Sequence, residues 1–309
     1  MGALHLTKFE RLPEVELIGI FEPNLERAKE LSHKLGVRTY HSLEELLFLS
    51  EAVVVASPTH THYAVAKHAL ESGCHVLIEK PMCETVEEAL ALDHLAQAKG
   101  LICQVGFLER FRLQAMLGQD RIPSTAHLES QRLSTGVGRE PSVDVISDLM
   151  IHDLDLVLSL VKEDPIRITA EGFSVVTDYL DLAKARLEFS NGVVATLQAS
   201  RVAPKVVRSL KVISLNYFSE FDFVTNSKFM APSVLMNSPN SNLSNFDALE
   251  HQAKSFVRSI QSNSTPIITA IQGAKVIELT QKIRDSIRLT QLPLRALAHV
   301  ETTALIREH

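Results

Sequence analysis

Three side chains that can hold or move a proton, Lys80, Asp148 and His152, occupy positions typical of an acid–base site. Lys80 comes just after the apolar run 74–78 and just before Pro81. Runs rich in Val, Leu and Ile are typical of strands buried in a parallel sheet, and such sheets bind ligands at the carboxyl ends of their strands. Asp148 and His152 are four residues apart, which predicts that they share one helix face. Together these side chains predict proton transfer beside a bound ligand.

The composition is that of an ordinary globular protein, with 45% hydrophobic and 22% charged residues in a chain of 309, long enough for two domains. The formal net charge of -6 gives no support for nucleic-acid binding. No apolar run approaches the roughly 18 residues of a membrane span, and the first residues lack the pattern of a secretory signal. The three cysteines form no C-x-x-C pair, so we expect a reduced, cytoplasmic protein without a membrane partner.

The first half of the chain must position Lys80, and its pattern alternates between strand and helix. We predict strands at 15–21, 37–40, 52–56, 74–79 and 101–107, with helices at 25–35, 63–72 and 85–99 and a further helix capped by Ser42. Alternation of this kind implies crossover connections and a parallel sheet. The strand at 52–56 is expected to be buried, since all five of its residues are apolar.

The second half must position Asp148 and His152, and it is richer in strands. We predict a helix at 145–161, closing helices at 247–261 and 270–288, a loop or lid at 237–245, and strands at 126–134, 166–177, 183–189, 193–201 and 209–214. Ser190-Asn191-Gly192 indicates a hairpin turn, because Asn and Gly tolerate positive φ. The tail from Pro293 has no strong pattern. The pattern predicts an α+β domain with a mostly antiparallel sheet, and we place the domain boundary between residues 118 and 119.

Several motifs in this order resemble those of the Gfo/Idh/MocA oxidoreductases. They are Ser57-Pro58-Thr59-His60-Thr61-His62, Glu79-Lys80-Pro81, Val105-Gly106-Phe107 with Arg110-Phe111, Asp148-x-x-x-His152-Asp153-Leu154-Asp155, and Leu187-Glu188-Phe189-Ser190-Asn191-Gly192. The resemblance covers nearly the whole chain. It implies a Rossmann domain followed by an α/β domain with a large open sheet, which in the family is a usual surface for forming dimers or tetramers. It also implies hydride transfer between a nicotinamide cofactor and a sugar, cyclitol or related compound.

The resemblance assigns roles to individual residues. It makes His152 the general base for the substrate hydroxyl and Asp148 the group that orients it or the substrate, while Lys80 hydrogen-bonds the reacting oxygen and helps to move its proton. The residues it implies at the cofactor are Ser57, Pro58, Thr59, His62, Glu79, Lys80 and Pro81. Pro81 supports the role of Lys80 independently, since a proline restricts the backbone of the residue before it and can fix that side chain's direction.

One feature departs from the family pattern, because no strand and G-x-G-x-x-G motif opens the chain. The start at Met1-Gly2 resembles the family sequence from its last glycine, which makes Gly2 a cofactor residue. Glu22 follows 20 positions later, near the spacing of about 20 residues expected for the acid that binds the ribose. An acid there favours NAD over NADP. The first strand and two glycines are therefore missing, either through a start assigned too late or through a true truncation that removes a central strand and weakens cofactor binding.

A group of basic residues near the end of the 193–201 strand has two interpretations. Arg201, Lys205 and Arg208 could bind a substrate phosphate, or they could line a solvated edge. The segments around His152 and Ala199–Val202 resemble the branch of the family that oxidises the 3-hydroxyl of UDP-N-acetylglucosamine. Arg110 of the crossover motif is a further predicted substrate residue. The expected substrate is a sugar or nucleotide sugar.

Other readings of these residues remain. A metal site is disfavoured, because His60 and His62 lack a third ligand at useful spacing and because Asp148 and Asp155 would lie roughly 10 Å apart along a helix. The missing glycines leave open a non-catalytic binding or regulatory homologue that has lost NAD. A hydrolase that uses a bound nicotinamide in a redox cycle is the other alternative, as in a few branches of the family.

Overall fold

A computed structural model describes residues 1–118, 123, 126–136, 142–231, 241–243 and 246–305, with the backbone alone for 241–242 and 288–305. The chain forms two compact units. The first contains Met1–Phe111 and Asp247–Ile277, and the second contains Arg112–Phe246 and Glu278–His309. The domain boundary that the sequence analysis places between residues 118 and 119 stays a prediction. The compact units differ from it chiefly because the chain returns to the first unit at Asp247.

The first unit is built around a parallel three-stranded sheet with strand order β1-β2-β3. Its elements up to the second unit are α1 (Gly2–Phe9), α2 (Leu25–Leu35), α3 (Leu43–Leu49), β1 (Ala52–Val55), α4 (Thr59–Glu71), β2 (His75–Glu79), α5 (Val86–Lys99), β3 (Cys103–Gly106) and α6 (Leu108–Leu117). Ser42 caps α3 through the Glu45 N–H, as the sequence predicts. Thr85 begins α5 with a capping box.

The strands predicted before β1 are largely wrong. Of the stretches 15–21 and 37–40, only Ile20 and Thr39 pair in the described structure, as an isolated parallel bridge. Within the described residues β1 pairs only with β2, and its residues Ala52–Val54 are exposed or half-buried rather than fully buried. A stretch of chain forms a strand only where its backbone N–H and C=O groups pair with a neighbouring strand, so the stretches 15–21 and 37–40 form little strand. An edge strand is also less covered than a central one, so β1 is partly exposed.

The second unit contains an eight-stranded sheet with strand order β11-β10-β9-β8-β4-β7-β6-β5. Its elements are β4 (His127–Thr135), a π-helical turn (Ile146–Met150), α7 (Ile151–Val161), β5 (Arg167–Phe173), β6 (Leu182–Glu188), β7 (Val194–Ser200), β8 (Val202–Ser214), β9 (Tyr217–Asp222), β10 (Ser227–Ala231) and β11 (Ser241–Asn242). Every pairing is antiparallel except that of β4 with β7. The predicted mostly antiparallel sheet is confirmed, and so is the hairpin, where Gly192 has φ +85°.

Two helices close the chain, α8 (Ala248–Gln261) and α9 (Ala270–Leu305). α8 returns to the first unit, where its residues Ala253 and Phe256 form an apolar cluster with Phe9, Leu12, Leu77 and Ile102. α9 runs on to Leu305 rather than ending at residue 288 as predicted. Of the predicted loop at 237–245, only 241–243 are described. Within the described residues, no helix combines the length and the apolar character needed to cross a bilayer.

Candidate active site

Lys80 lies at the carboxyl end of β2, directly after the buried residue Glu79. The Lys80–Pro81 peptide bond is cis, and the Lys80 side chain is half-buried. Glu79 Oε2 accepts a hydrogen bond from the Lys80 N–H at 3.3 Å. The predicted strand and the position of Lys80 at its end are therefore present, at the edge where parallel sheets bind ligands.

A buried hydrogen bond joins this turn to the first helix. His5 Nε2 of α1 lies 2.6 Å from Glu79 Oε1, and the two residues are only 2% and 6% exposed. Gly106, which is in register with Glu79, makes room for the carboxylate, since a Cβ at that position would come within 3.2 Å of Glu79 Cδ. Sequence reasoning missed His5. The one available signal was a lone histidine three residues after Gly2.

His62 of α4 holds the Lys80–Pro81 turn from another direction. Its Nδ1 lies 2.8 Å from the Pro81 carbonyl oxygen, and its Nε2 lies 2.7 Å from the Ser57 carbonyl oxygen. The buried imidazole thus links the turn after β1 to the turn after β2. His60 is exposed whereas His62 is buried, so the structure does not bring the two rings together as a metal-binding pair.

The segment between β1 and α4 is largely exposed to solvent. Ser57 and Pro58 are exposed, Thr59 is the first helical residue, and Pro58 is the N-cap. The Thr61 hydroxyl lies 2.6 Å from Ser57 Oγ and 2.7 Å from the Pro58 carbonyl oxygen, which fixes this backbone. Gly2, at the start of α1, lies close to Ala56 in the same segment, where a Cβ would make only an ordinary contact of 3.9 Å.

Glu22 follows the Ile20–Thr39 bridge, and its carboxylate accepts from the Asn24 N–H at 3.1 Å and lies 3.4 Å from Arg27 Nε. The contacts of Gly2 with Ala56 and of His5 with Glu79 place the start of α1 beside the carboxyl ends of β1 and β2. A helix N-terminus suits phosphate oxygens, and a carboxylate suits ribose hydroxyls. The start of α1 and the residues that follow β1 and β2 therefore fit NAD.

Asp148 and His152 lie in the second unit at the start of a helix that is not regular. The sequence predicts continuous α-helix over 145–161, but Ile146–Met150 form a π-helical turn that precedes α7. Asp148 lies in the π-turn and His152 in α7, and both are half-buried. π-turns occur often at functional sites, because they redirect the side chains around them. The spacing of four residues is thus not that of an ordinary α-helical turn.

Asp144 and Arg284 hold the beginning of this π-turn. Asp144 Oδ1 accepts from the Ile146 and Ser147 N–H groups at 3.1 and 2.9 Å. Arg284 of α9 donates from Nε to Asp144 Oδ2 at 2.7 Å and from Nη2 to the Ser147 hydroxyl. Neither residue was found in the sequence analysis, since the contact joins positions 140 residues apart.

The predicted group Arg201, Lys205 and Arg208 is not brought together. Arg201 is 2% exposed, its Nε lies 3.7 Å from Asp181 Oδ1, and its Nη2 donates to the Val143 carbonyl. This buried environment gives Arg201 a structural role and does not support a contact with substrate. Arg110 is similarly buried, and it donates to Gln272 Oε1 at 2.8 Å and to the Ile267 carbonyl oxygen.

Lys205 and Arg208, in contrast, are exposed on β8. Arg208 is in register with Arg132 of β4, so their side chains share one face of the sheet. Arg132 is buried there, and it donates to both carboxylate oxygens of Asp153 in α7 at 2.9 and 3.0 Å. Arg208 therefore lies on the sheet face that carries α7, the helix of His152. The Arg132–Asp153 pair was also missed by the sequence analysis.

The comparisons with known proteins agree with this architecture. Residues 1–107 match the model of an oxidoreductase family with an NAD-binding Rossmann fold, and residues 113–213 match the GFO/IDH/MocA C-terminal domain. The chain is 32% identical to the UDP-N-acetylglucosamine 3-dehydrogenase of Acidithiobacillus ferrooxidans over 93% of this chain and 94% of that protein. A solved structure of that enzyme superposes with a TM-score of 0.88, at 33% identity over 93% of this chain and 94% of that one.

More distant relatives share parts of the sequence or the fold. The scyllo-inositol 2-dehydrogenase (NAD(+)) of Bacillus subtilis is 26% identical over 62% of each chain. A levoglucosan dehydrogenase solved with NADH and levoglucosan has a TM-score of 0.82 at 18% identity over 93% of this chain and 94% of that one, which is a likeness of fold. The two family models together span more than half of the chain, in the expected order. The protein thus belongs to the Gfo/Idh/MocA family of NAD-binding oxidoreductases.

Proposed function

We propose that this protein is an NAD-dependent dehydrogenase of a nucleotide sugar, and that UDP-N-acetylglucosamine, oxidised at its 3-hydroxyl, is the first substrate to test. The observation that carries the proposal is the 32% identity, over 93% of this chain, to an enzyme with that activity. The turn at Lys80 and the helix of His152 support it, because they supply acid–base groups in both matched domains.

Each proposed catalytic residue has a distinct task. NAD, when bound, accepts the hydride from the substrate carbon. His152 takes the proton of the substrate hydroxyl, and Asp148 orients His152 or the substrate. The Lys80 amine hydrogen-bonds the reacting oxygen and helps to move its proton. A positioned acid–base group of this kind typically raises the rate about 10²–10⁴-fold. Glu22 binds the ribose hydroxyls and disfavours NADP, whose 2′-phosphate it would repel.

The diphosphate of the substrate is assigned to Arg208 and Lys205. Arg208 is in register with Arg132, on the face of the sheet that carries α7. The side chains of Arg208 and Lys205 are exposed, and a guanidinium and an ammonium both suit phosphate oxygens, which supports the assignment. Arg201 and Arg110 are left out of this proposed site because both are buried against other parts of the chain.

The test follows NADH formation from NAD and UDP-N-acetylglucosamine, with product analysis to locate the new carbonyl. Lys80→Ala is expected to lower kcat at least 100-fold with the Kd for NAD changed by less than threefold, because its amine acts on the reacting oxygen. Lys67→Ala, at an exposed lysine of α4, is the matched control and should leave both quantities unchanged. Near-normal turnover by Lys80→Ala would exclude the assigned role, and a nucleotide-free sugar as the better substrate would exclude the diphosphate site.

We further propose a reducing, cytoplasmic location and a homodimer or homotetramer. The location is supported by three free, buried cysteines. The oligomer is supported by the large open sheet of the second unit, a usual assembly surface among the family members that this chain resembles. Sedimentation equilibrium of the full chain tests the oligomer, and a monomer at micromolar concentration would contradict it.

A further inference from the structure

We propose that His5 is a positioning residue for Lys80, and that it acts through the carboxylate of Glu79. His5 belongs to the first helix, whereas Lys80 belongs to the turn after β2. The inference builds on the function proposed for Lys80, and its test is chosen to be readable without turnover.

The Glu79 carboxylate is shared between the two residues. Oε1 lies 2.6 Å from His5 Nε2, and Oε2 accepts from the Lys80 N–H at 3.3 Å. The carboxylate is therefore a bridge between the imidazole and the backbone of the lysine. Because it is shared, its orientation sets the direction of the Lys80 main chain, from which the amine extends.

The surroundings of the carboxylate keep it in this place. Glu79 is 6% exposed, and a buried carboxylate is costly unless donors satisfy it. The absence of a side chain at Gly106 leaves space for Glu79, since a Cβ there would lie 3.1 Å from Glu79 Cα and 3.2 Å from its Cδ, which is a tight contact. His5 supplies a buried, charge-assisted hydrogen bond, which is among the stronger kinds.

The imidazole of His5 has no other polar contact among the described residues, where its Nδ1 is buried without a hydrogen-bond partner. A buried polar ring is ordinarily satisfied at both nitrogens. A leucine at this position would pack without leaving a buried nitrogen unsatisfied. The one polar interaction that the His5 ring makes among the described residues is the hydrogen bond with Glu79. His62 holds the Pro81 carbonyl from α4, so the Lys80–Pro81 turn is fixed on two sides by histidines of two helices.

Loss of the His5 donor has a definite consequence for Lys80. An uncompensated buried carboxylate seeks another donor, and the ammonium of the adjacent Lys80 is the cation next to it in sequence. Capture of that amine would withdraw it from the substrate oxygen. We therefore expect a catalytic defect in kcat, with cofactor binding preserved.

The experiment compares His5→Leu, which removes the donor, with His5→Gln, which keeps an N–H near the position of Nε2. Phe9→Leu is the matched control, since Phe9 is a buried residue of the same helix that packs in the apolar cluster and has no polar group to contact Glu79. Three quantities are measured for each variant: amide hydrogen exchange of Lys80 in the cofactor-free chain, the Kd for NAD by calorimetry, and kcat with KM.

For His5→Leu we expect Lys80 amide exchange to become about tenfold faster and kcat to fall about tenfold, with KM and the Kd for NAD within threefold. His5→Gln should restore both quantities to within threefold of the parent. Phe9→Leu should lower the unfolding temperature while Lys80 exchange and kcat stay unchanged. In a double-mutant cycle with Glu79→Gln, kcat of the double variant should fall no further than kcat of either single variant, since both substitutions break the same hydrogen-bonded bridge.

Equal defects in His5→Leu and His5→Gln, or equal defects in His5→Leu and Phe9→Leu, would show a merely structural histidine and overturn the inference. Unchanged Lys80 exchange in His5→Leu would overturn it as well. If the parent chain turns over no nucleotide sugar while the exchange results hold, then the proposed function fails and the bridge to Lys80 stands.

Discussion

Asp181 is a buried carboxylate whose charge organises the loop between β5 and β6. Its Oδ2 accepts from the N–H groups of Val175, Val176 and Thr177 at 2.7, 2.7 and 2.9 Å, and its Oδ1 accepts from the Thr177 hydroxyl. Burial alone raises the pKa of Asp181, but these four donors outweigh it and bring the pKa to about 2. The buried guanidinium of Arg201 lies on the same carboxylate.

Because the folded-state pKa lies below the ordinary value of about 3.8, Asp181 stabilises the fold above pH 4 and loses that contribution as the pH falls toward 2. Asp181→Asn removes the titrating group. We expect the gap in unfolding free energy between parent and variant to narrow by about 2 kcal/mol between pH 5 and pH 2. Urea unfolding at a series of pH values measures it, and a gap that does not change with pH would contradict the assignment.

At the scale of the residue, sequence patterns single out Lys80, Asp148 and His152 as candidate site residues, but they do not distinguish buried arginines from exposed ones. Arg201 and Arg208 looked alike in the sequence, since both are arginines beside the end of a predicted strand. Asp181, which makes Arg201 structural, is 20 residues away in sequence and comes opposite Arg201 only because Leu182 of β6 pairs with Ser200 of β7. Burial and pairing are properties of the folded neighbourhood, so composition and spacing do not determine them.

Among the elements, the π-helical turn before α7 depends on a contact from another helix. Asp144 caps the turn, and Arg284 of α9 binds both Asp144 and Ser147. The extra residue in the turn sets the direction of Asp148 relative to His152. A regular α-helix would present these two side chains differently, which makes the clamp by Arg284 important for the site.

Arg284→Met is expected to lower kcat about five- to tenfold, because the turn that carries Asp148 loses its clamp. The unfolding temperature should fall by only a few degrees, as for the loss of one partly exposed ion pair. Lys282→Met is the control, since Lys282 lies on the same helix in an exposed pair with Glu278. A kcat as high as that of the control, measured at saturating substrate, would contradict this role for the clamp.

The elements also show where sequence periodicity fails. The helices α2, α3, α5 and α8 begin or end at the capping residues that the sequence displays, because a cap is a local hydrogen bond. The stretch 15–21 has the apolar character of a strand, but only Ile20 pairs among the described residues. A strand forms by hydrogen bonding to a neighbouring strand that lies elsewhere in the chain, so the apolar character of its own residues is not sufficient to predict it.

On the scale of the whole molecule, the three cysteines report on global unfolding. Cys74, Cys83 and Cys103 are all buried. Burial raises the pKa of Cys83 and of Cys103 to about 12, with further contributions from Glu88 and Asp93 respectively, and it also raises the pKa of Cys74. At pH 8 about one Cys83 or Cys103 thiol in 10⁴ is thus ionised, and only the thiolate reacts readily.

We expect Ellman's reagent to leave all three thiols of the native protein unmodified over minutes at pH 8, and to modify all three in concentrated urea. The reaction rate between these limits should follow the unfolding transition seen by circular dichroism. Fast modification of any one thiol before that transition would reveal local opening and contradict the burial of that residue. NAD, if it binds the folded chain, should shift both transitions together to higher urea.

By itself the sequence determined many of the helices and strands, the parallel and antiparallel character of the two sheets, and the family, and it singled out Lys80, Asp148 and His152 as candidate site residues. These follow from local signals: caps, apolar periodicity and short motifs, each confined to a few neighbouring residues. Tertiary structure alone decided the return of α8 to the first unit, the π-turn, and the pairs His5–Glu79, Arg132–Asp153 and Asp181–Arg201. Such pairs are fixed by which buried charges meet when distant segments pack, and that is a property of the folded chain.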